Sequence, residues 1–290
     1  MINLHLQVRR AVPQDHRQIS NLIFQESNTH RHLDWRTALE WLGAQNFWVL
    51  EENGNVLAAL ACPEDPADVA WIRLFSYQPL LSGSEAWSAI WNIARADIFA
   101  ENPHAQIASI VMKQWFQTLL LNSGFEPKWN IVLLELRSED YVPAHAISGS
   151  VNIRPMQETD LSEVEEVDRE AFGAFWHNTL DSLKRACGQS FYSSVAENET
   201  GVIGYQISTG NPFGAHLARL GVRTEMQGRG IGSALIHDLI QKAGALQSGR
   251  LTVNTQGDNF ASLNLYQKLG FVRTGENYPV FVNTLEMPYS

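Results

Sequence analysis

Glycines crowd one segment of this chain, Leu220-Gly221-Val222-Arg223-Thr224-Glu225-Met226-Gln227-Gly228-Arg229-Gly230-Ile231-Gly232-Ser233. The residues before it, Ala215–Arg223, read as a strand. Those after it carry apolar side chains at Ile231, Leu235, Leu239, Ile240 and Ala243, one face at helical spacing, with Gly244 as a C′ stop. The glycines therefore fall where a strand becomes a helix. Such a junction offers backbone N–H groups without helical partners and the positive end of the helix dipole, which suit a phosphate or pyrophosphate. Glycine lets the backbone approach the anion with no Cβ in the way. The plainer alternative is a turn that only permits tight packing. A Walker loop would need Gly-Lys-Ser/Thr, which is absent. A Rossmann fingerprint would need glycine where Ser233 stands and an acidic residue after the next strand, which reads Arg250-Leu-Thr-Val-Asn254.

The elements that position this loop occur twice. Arg9 and Asp15 open the chain as Arg154 and Asp160 open a second stretch. Val49-Leu50-Glu51 matches Val195-Ala196-Glu197, Val56-Leu57 matches Val202-Ile203, Arg73-Leu74 matches Arg219-Leu220, and Gly124-Phe125 matches Gly270-Phe271. The separation is 145 at the opening (154 − 9) and 146 from there on (219 − 73), so the chain reads as a duplication. Copies at 1–140 and 151–290 are expected, joined by a linker at 141–150, where Pro143 and Gly149 interrupt any period. Each copy begins with a strand (Leu4–Ala11; Val151–Met156) and helical stretches (Ile19–Glu26; Leu161–Glu170). A hairpin follows (47–50 with 56–61; 193–197 with 202–208), then a strand (69–76; 215–223), a helix and further strands. That order predicts an α+β class, a mixed central sheet flanked by helices in each copy.

Composition sets outer limits. The chain has 290 residues, 44% of them hydrophobic, and no apolar run near the ~18–20 residues of a membrane span. No secretory h-region opens it, and Cys62 and Cys187 stand alone, so neither a disulfide scaffold nor a metal site is expected and a cytoplasmic setting fits. A net charge of −10 disfavours a sequence-independent grip on nucleic acid.

Gln227-x-x-Gly230-x-Gly232 resembles the acyl-CoA pyrophosphate signature of the GCN5-related N-acetyltransferase (GNAT) superfamily. Asn259-Phe-Ala-Ser-Leu-Asn-Leu-Tyr266-Gln-Lys-Leu-Gly270-Phe271 is similar to its second hallmark. The resemblance covers Val151 to about Leu285. It implies tandem acyl-CoA N-acyltransferase domains and an acyltransferase moving acetyl from acetyl-CoA, as co-substrate, to a primary amine by direct attack, without a metal. Leu220, Gly221 and Val222 would lend backbone groups to the pantetheine and thioester. Gln227, Gly228, Arg229, Gly230, Ile231, Gly232 and Ser233 would wrap the pyrophosphate. The strands at 216–223 and 250–254 would splay to admit the cofactor's arm, with Asn254 and Asn259 beside it; Asn259 equally suits a helix N-cap. Tyr266 matches the tyrosine that protonates the leaving thiolate in many relatives, or is an amphipathic residue on an apolar helix face. His216 lies on the strand where histone-type relatives place a basic glutamate; the alternatives are a surface histidine and deprotonation through water, and Glu197, Asp258 and His177 are weaker candidates. Phe172, Phe175 and Trp176 form an aromatic stretch that is either core or a wall beside the acetyl group. The resemblance leaves the amine acceptor, acyl length and oligomeric state open, and a non-enzymatic acyl-CoA sensor is the rival class.

The first copy departs from the pattern. Leu81, Ser84, Ala86 and Leu120 stand where Gln227, Gly230, Gly232 and Tyr266 do, and Glu85 adds negative charge at the anion position. Five of the twenty glycines but eight of the nine tryptophans precede residue 151, which reads as a degenerate copy that keeps the fold without the cofactor site.

Overall fold

A computed structural model describes residues 6–143, 151–211, 214–245 and 249–284. In chain order the elements are β1 (Leu6–Arg10), α1 (His16–Ile23), β2 (Thr29–Arg31), β3 (Phe47–Glu52), β4 (Asn55–Ala61), β5 (Val69–Trp71), β6 (Leu74–Tyr77), α2 (Gly83–Glu101), β7 (Gln106–Ile110), α3 (Gln114–Leu121) and β8 (Glu126–Arg137). They continue with β9 (Asn152–Pro155), α4 (Leu161–Trp176), α5 (Leu180–Gln189), β10 (Tyr192–Asn198), β11 (Gly201–Asn211), β12 (Gly214–Val222), α6 (Ile231–Ala243), β13 (Arg250–Gln256), α7 (Phe260–Lys268) and β14 (Val272–Thr284).

The chain divides into two compact units: residues 1–128 with 279–290, and Trp129–Tyr278. Both are α+β with mixed sheets. In the first, β1, β3, β4, β6 and β2 run side by side and antiparallel, while β5 pairs parallel with β7 and β7 antiparallel with residues 280–284 of β14. In the second, β9 to β12 form an antiparallel run, β12 pairs parallel with β13, and β13 antiparallel with β8. The duplication offset makes β8 the counterpart of β14, so each copy's last strand completes the unit that contains the other copy. The compact units thus differ from the sequence copies by one exchanged strand at each end.

The repeat is visible in side chains as well as in order. Arg9 donates to Asp15 at 2.7 Å and to Glu51 at 2.8 Å, and Asp15 accepts from the Val12 N–H. Arg154 donates to Asp160 at 2.7 Å and to Glu197 at 2.9 Å, and Asp160 accepts from the Gln157 N–H. Each trio ties the opening strand to the first turn and the hairpin. Hydrogen bonds from the partner arginine hold Asp15 and Asp160 below the usual carboxylate range.

In the second unit, alternate residues of β8, β12 and β13 (Val132, Leu134, Leu136; Ala215, Leu217; Leu251, Val253) face Ile236, Leu239 and Ile240 of α6, Tyr266 of α7 and Leu269 at its C-cap. The intervening residues lie on the opposite face, where α4 packs on β11 and β12. The chain bends twice against simple expectation. The strand expected at 69–76 is interrupted into β5 and β6, and α4 runs to Trp176 across a kink at Gly173 (φ 70°, ψ 179°).

Candidate active site

The site begins where a ladder ends. β12 and β13 pair through Ala215–Leu251, His216–Thr252 and Leu217–Val253, and the pairing stops there. On its other side β12 stays bonded to β11, skipping Ala218 in a bulge, out to Val222 against Gly204. Over residues 219–222 the edge of β12 that faces β13 therefore has no strand partner among the described residues. The bulge turns the strand, and the two neighbours diverge into a slot. Gly221 lies on this edge. A Cβ there would stand 2.7 Å from the Tyr205 ring and 3.4 Å from that of Phe172, so only glycine fits beneath those aromatics.

The glycine-rich loop lies beyond the slot. A short turn at Thr224–Met226 leads to Gln227, whose side chain donates to Val222 O at 3.1 Å and staples the loop to the strand end. Gly228 (φ 74°) and Gly230 (φ 84°) adopt left-handed backbone conformations, with nothing within 4 Å of where a Cβ would be. Gly230 is the N-cap of α6 and provides no side-chain cap. The first in-helix bond of this turn is Ala234 N–H to Gly230 O at 3.0 Å, so the N–H groups before it lie at the open, positive end of the helix. Ile231 is buried and Leu220 packs on the core, so what these two present to the slot is backbone. Gln227, Gly228, Arg229 and Gly230 are exposed.

Tyr266 lies buried between the sheet and α7, its ring 5.4 Å from Phe271, and burial pushes its phenol well above the ordinary value, keeping it protonated. Asn259 accepts from Ser262 N–H at 3.1 Å as the N-cap of α7, which leaves its amide NH₂. His216 is on the α4 side of β12. Its Nδ1 is 2.8 Å from Thr252 Oγ1, and it also bonds the Asn254 side chain. Burial lowers the pKa of the ring more than Asn254 raises it, so His216 is neutral at pH 7. Three predicted residues thus divide between two faces of the sheet, Tyr266 below and His216 with Asn254 above. Of the weaker base candidates, Glu197 is engaged by Arg154, and His177 caps the kinked end of α4 through its own ring.

Sequence reasoning missed a buried ionic knot. Asp168 of α4, fully buried, takes both Arg219 nitrogens at 2.7 and 2.9 Å, together with the Tyr205 hydroxyl and the Asn178 N–H at 2.6 Å. Arg219 also donates to Trp176 O at 2.7 Å and stacks 3.4 Å above the Phe172 ring. Removing one partner of such a pair costs roughly 3–5 kcal/mol. It fastens the end of α4 to the strand that borders the slot. The only sequence signal was Arg219 itself, the one arginine in a strand that is apolar but for His216.

Among the described residues no cluster of His, Cys, Asp and Glu could hold a metal, and no helix is long and apolar enough to cross a membrane.

Residues 157–271 match the acetyltransferase (GNAT) family. An uncharacterised N-acetyltransferase of Methanocaldococcus jannaschii is 36% identical over 91 residues, 30% of this chain and 55% of that protein, so the chain spans about half the length of this curated relative. Among solved structures, a GCN5-related N-acetyltransferase from Sphaerobacter thermophilus superposes with a TM-score of 0.62 at 16% identity, covering 96% of this chain and 95% of that one. A tandem GNAT protein from the clavulanic acid biosynthesis pathway gives 0.60 at 14% identity, covering 96% and 98%. These likenesses extend the fold over both halves.

Proposed function

We propose that this chain, whose second half belongs to the acetyltransferase (GNAT) family, transfers acetyl from acetyl-CoA to a primary amine, with the cofactor held in the second copy alone. The observation that carries the proposal is the slot between β12 and β13, ending at an uncapped, glycine-lined helix start. A pantetheine arm fits a strand edge with free backbone groups, and a pyrophosphate fits the N–H groups of Gly228–Ser233. The free amide of Asn259 suits the arm.

Acetyl-CoA, when bound, supplies an acetyl thioester whose carbonyl carbon bonds to the amine nitrogen as the carbon–sulfur bond breaks. Backbone N–H groups of Leu220–Val222 would polarise the carbonyl oxygen, as fixed dipoles facing developing charge. His216, neutral and bonded to Thr252 and Asn254, would accept the proton that the amine loses. Tyr266, held protonated by burial, would give its proton to the departing sulfur, a kind of assistance worth about 10²–10⁴-fold.

Release of free CoA thiol over a panel of primary amines tests the reaction. Tyr266→Phe removes only the hydroxyl, so kcat is expected to fall roughly ten- to a thousand-fold with acetyl-CoA affinity unchanged. Thiol release from no amine, or an unaltered kcat in the variant, would count against transfer or against the tyrosine's role respectively.

A further inference from the structure

We propose that Trp129, Phe175 and Trp176 form the acceptor-recognition wall of this site and select a primary amine borne by a flat aromatic group. The inference rests on the transfer reading above and names its acceptor class. Trp129 enters the second unit on β8, beyond the end of β13: Ile131 pairs with Gln256, and Gly257 N–H donates to Asn130 O. The ring of Trp129 nevertheless reaches α4, which packs over β11 and β12, and lies 4.6 Å from Phe175 and 5.5 Å from Trp176. The three rings thus span from one bank of the slot to the other, on the face that carries His216 and Asn254.

Two features make this a built wall. The kink at Gly173 redirects the last turn of α4, and the buried Arg219 and Asp168 then fix it through Trp176 O and Asn178 N–H. The rings are half-buried rather than sealed in the core. Charge points the same way. Asp168 is consumed by Arg219, and Glu135, on the same face of β8, lies 3.5 Å from Arg137 and 3.7 Å from Arg250. A polycationic acceptor would find these carboxylates engaged by arginines, whereas an aromatic one would add a ring to a cluster whose members already meet tilted and edge-on.

Calorimetric titration of 2-phenylethylamine, n-butylamine and spermidine into the CoA-saturated full chain reads this directly. The expected order is 2-phenylethylamine about tenfold tighter than either other amine. Trp129→Ala should weaken 2-phenylethylamine about tenfold and n-butylamine less than twofold, and Trp129→Phe should restore most of the difference. Equal affinities in the unaltered protein, tightest binding of spermidine, or an equal loss for both monoamines in Trp129→Ala would overturn the wall. The unaltered protein's selectivity decides the matter even if the alanine variant is unstable. Selective binding without thiol release would overturn transfer and leave the wall standing. Thiol release without aromatic preference would do the reverse.

Discussion

The two copies part their sheets at the same place and fill the parting differently. In the second unit β12 and β13 separate after Leu217 and Val253, leaving the edge of β12 without a strand partner over 219–222 among the described residues. In the first unit β5 and β7 separate after Trp71 and Ala108, and the chain inserts β2 along β6. His30 of β2 sits in the parting, its Nε2 3.3 Å from Ile72 O and 3.2 Å from Ser109 Oγ, stacked at 4.1 Å on Phe116. Burial pushes its pKa down to about 3, so the plug is uncharged. Phe75 stands where Gly221 does and packs edge-on against Trp87. At the helix start the contrast repeats. Ser82 caps α2, accepting from Glu85 N–H, and its hydroxyl bonds the Glu85 carboxylate, whereas Gly230 leaves α6 open. The fold does not by itself hold a cofactor. A slot that its own side chains have filled is a core.

Gly230→Glu is the strongest way to collapse the difference. A carboxylate and a Cβ at φ 84° meet the anion position together, so acetyl-CoA binding should fall by at least a hundredfold, while Ser84→Glu in the first copy leaves it unchanged. Calorimetry on the unaltered chain should give one site; two equivalent sites would break the comparison outright. The exchanged strand offers the next test. A fragment of residues 151–290 lacks β8, which pairs with β13 from Arg250 to Gln256, and exposes Leu251 and Val253. It should melt lower and aggregate more than a fragment of residues 126–278, and an equal melting temperature would show that β8 is dispensable. The smallest effect is expected from His30→Ala. It should destabilise the chain by about 1–3 kcal/mol without creating a second acetyl-CoA site, because Phe75, Ser82 and Glu85 remain. Appearance of a second site would mean that His30 alone is the plug.

How much of this was legible depended on range. The glycine-rich loop, α6 and both hairpins are short-range patterns of glycine and apolar spacing, and they appear where the sequence puts them: α6 starts at Ile231 and is capped at its end by Gly244. The duplication was legible because arginine, aspartate and glutamate recur in the same order at offsets of 145, 145 and 146 and form matching trios. The plug was not. Thr29-His30-Arg31 is three residues with no periodicity, and its partners Ile72 and Ser109 are far along the chain. The same holds for Asp168 with Arg219. The strand exchange was half legible: the offset equates β8 with β14, but alternation says which face of a strand is apolar and nothing about which sheet receives it. Trp129 was hidden for that reason, counted with the first copy while its ring belongs to the second unit.

That exchange has a consequence for the order of synthesis. Val280 is the partner of Ile110, and the entire second unit is made between them. The first unit must wait with the edge of β7 open until residues 280–284 of β14 leave the ribosome. The second unit has β8 in hand before its own β9 is translated, and can close as soon as residue 278 emerges. Maturation therefore runs against the reading direction. The half that carries the slot is finished first, and the half whose parting is filled by its own side chains is finished last, by residues 280–284 of the second copy.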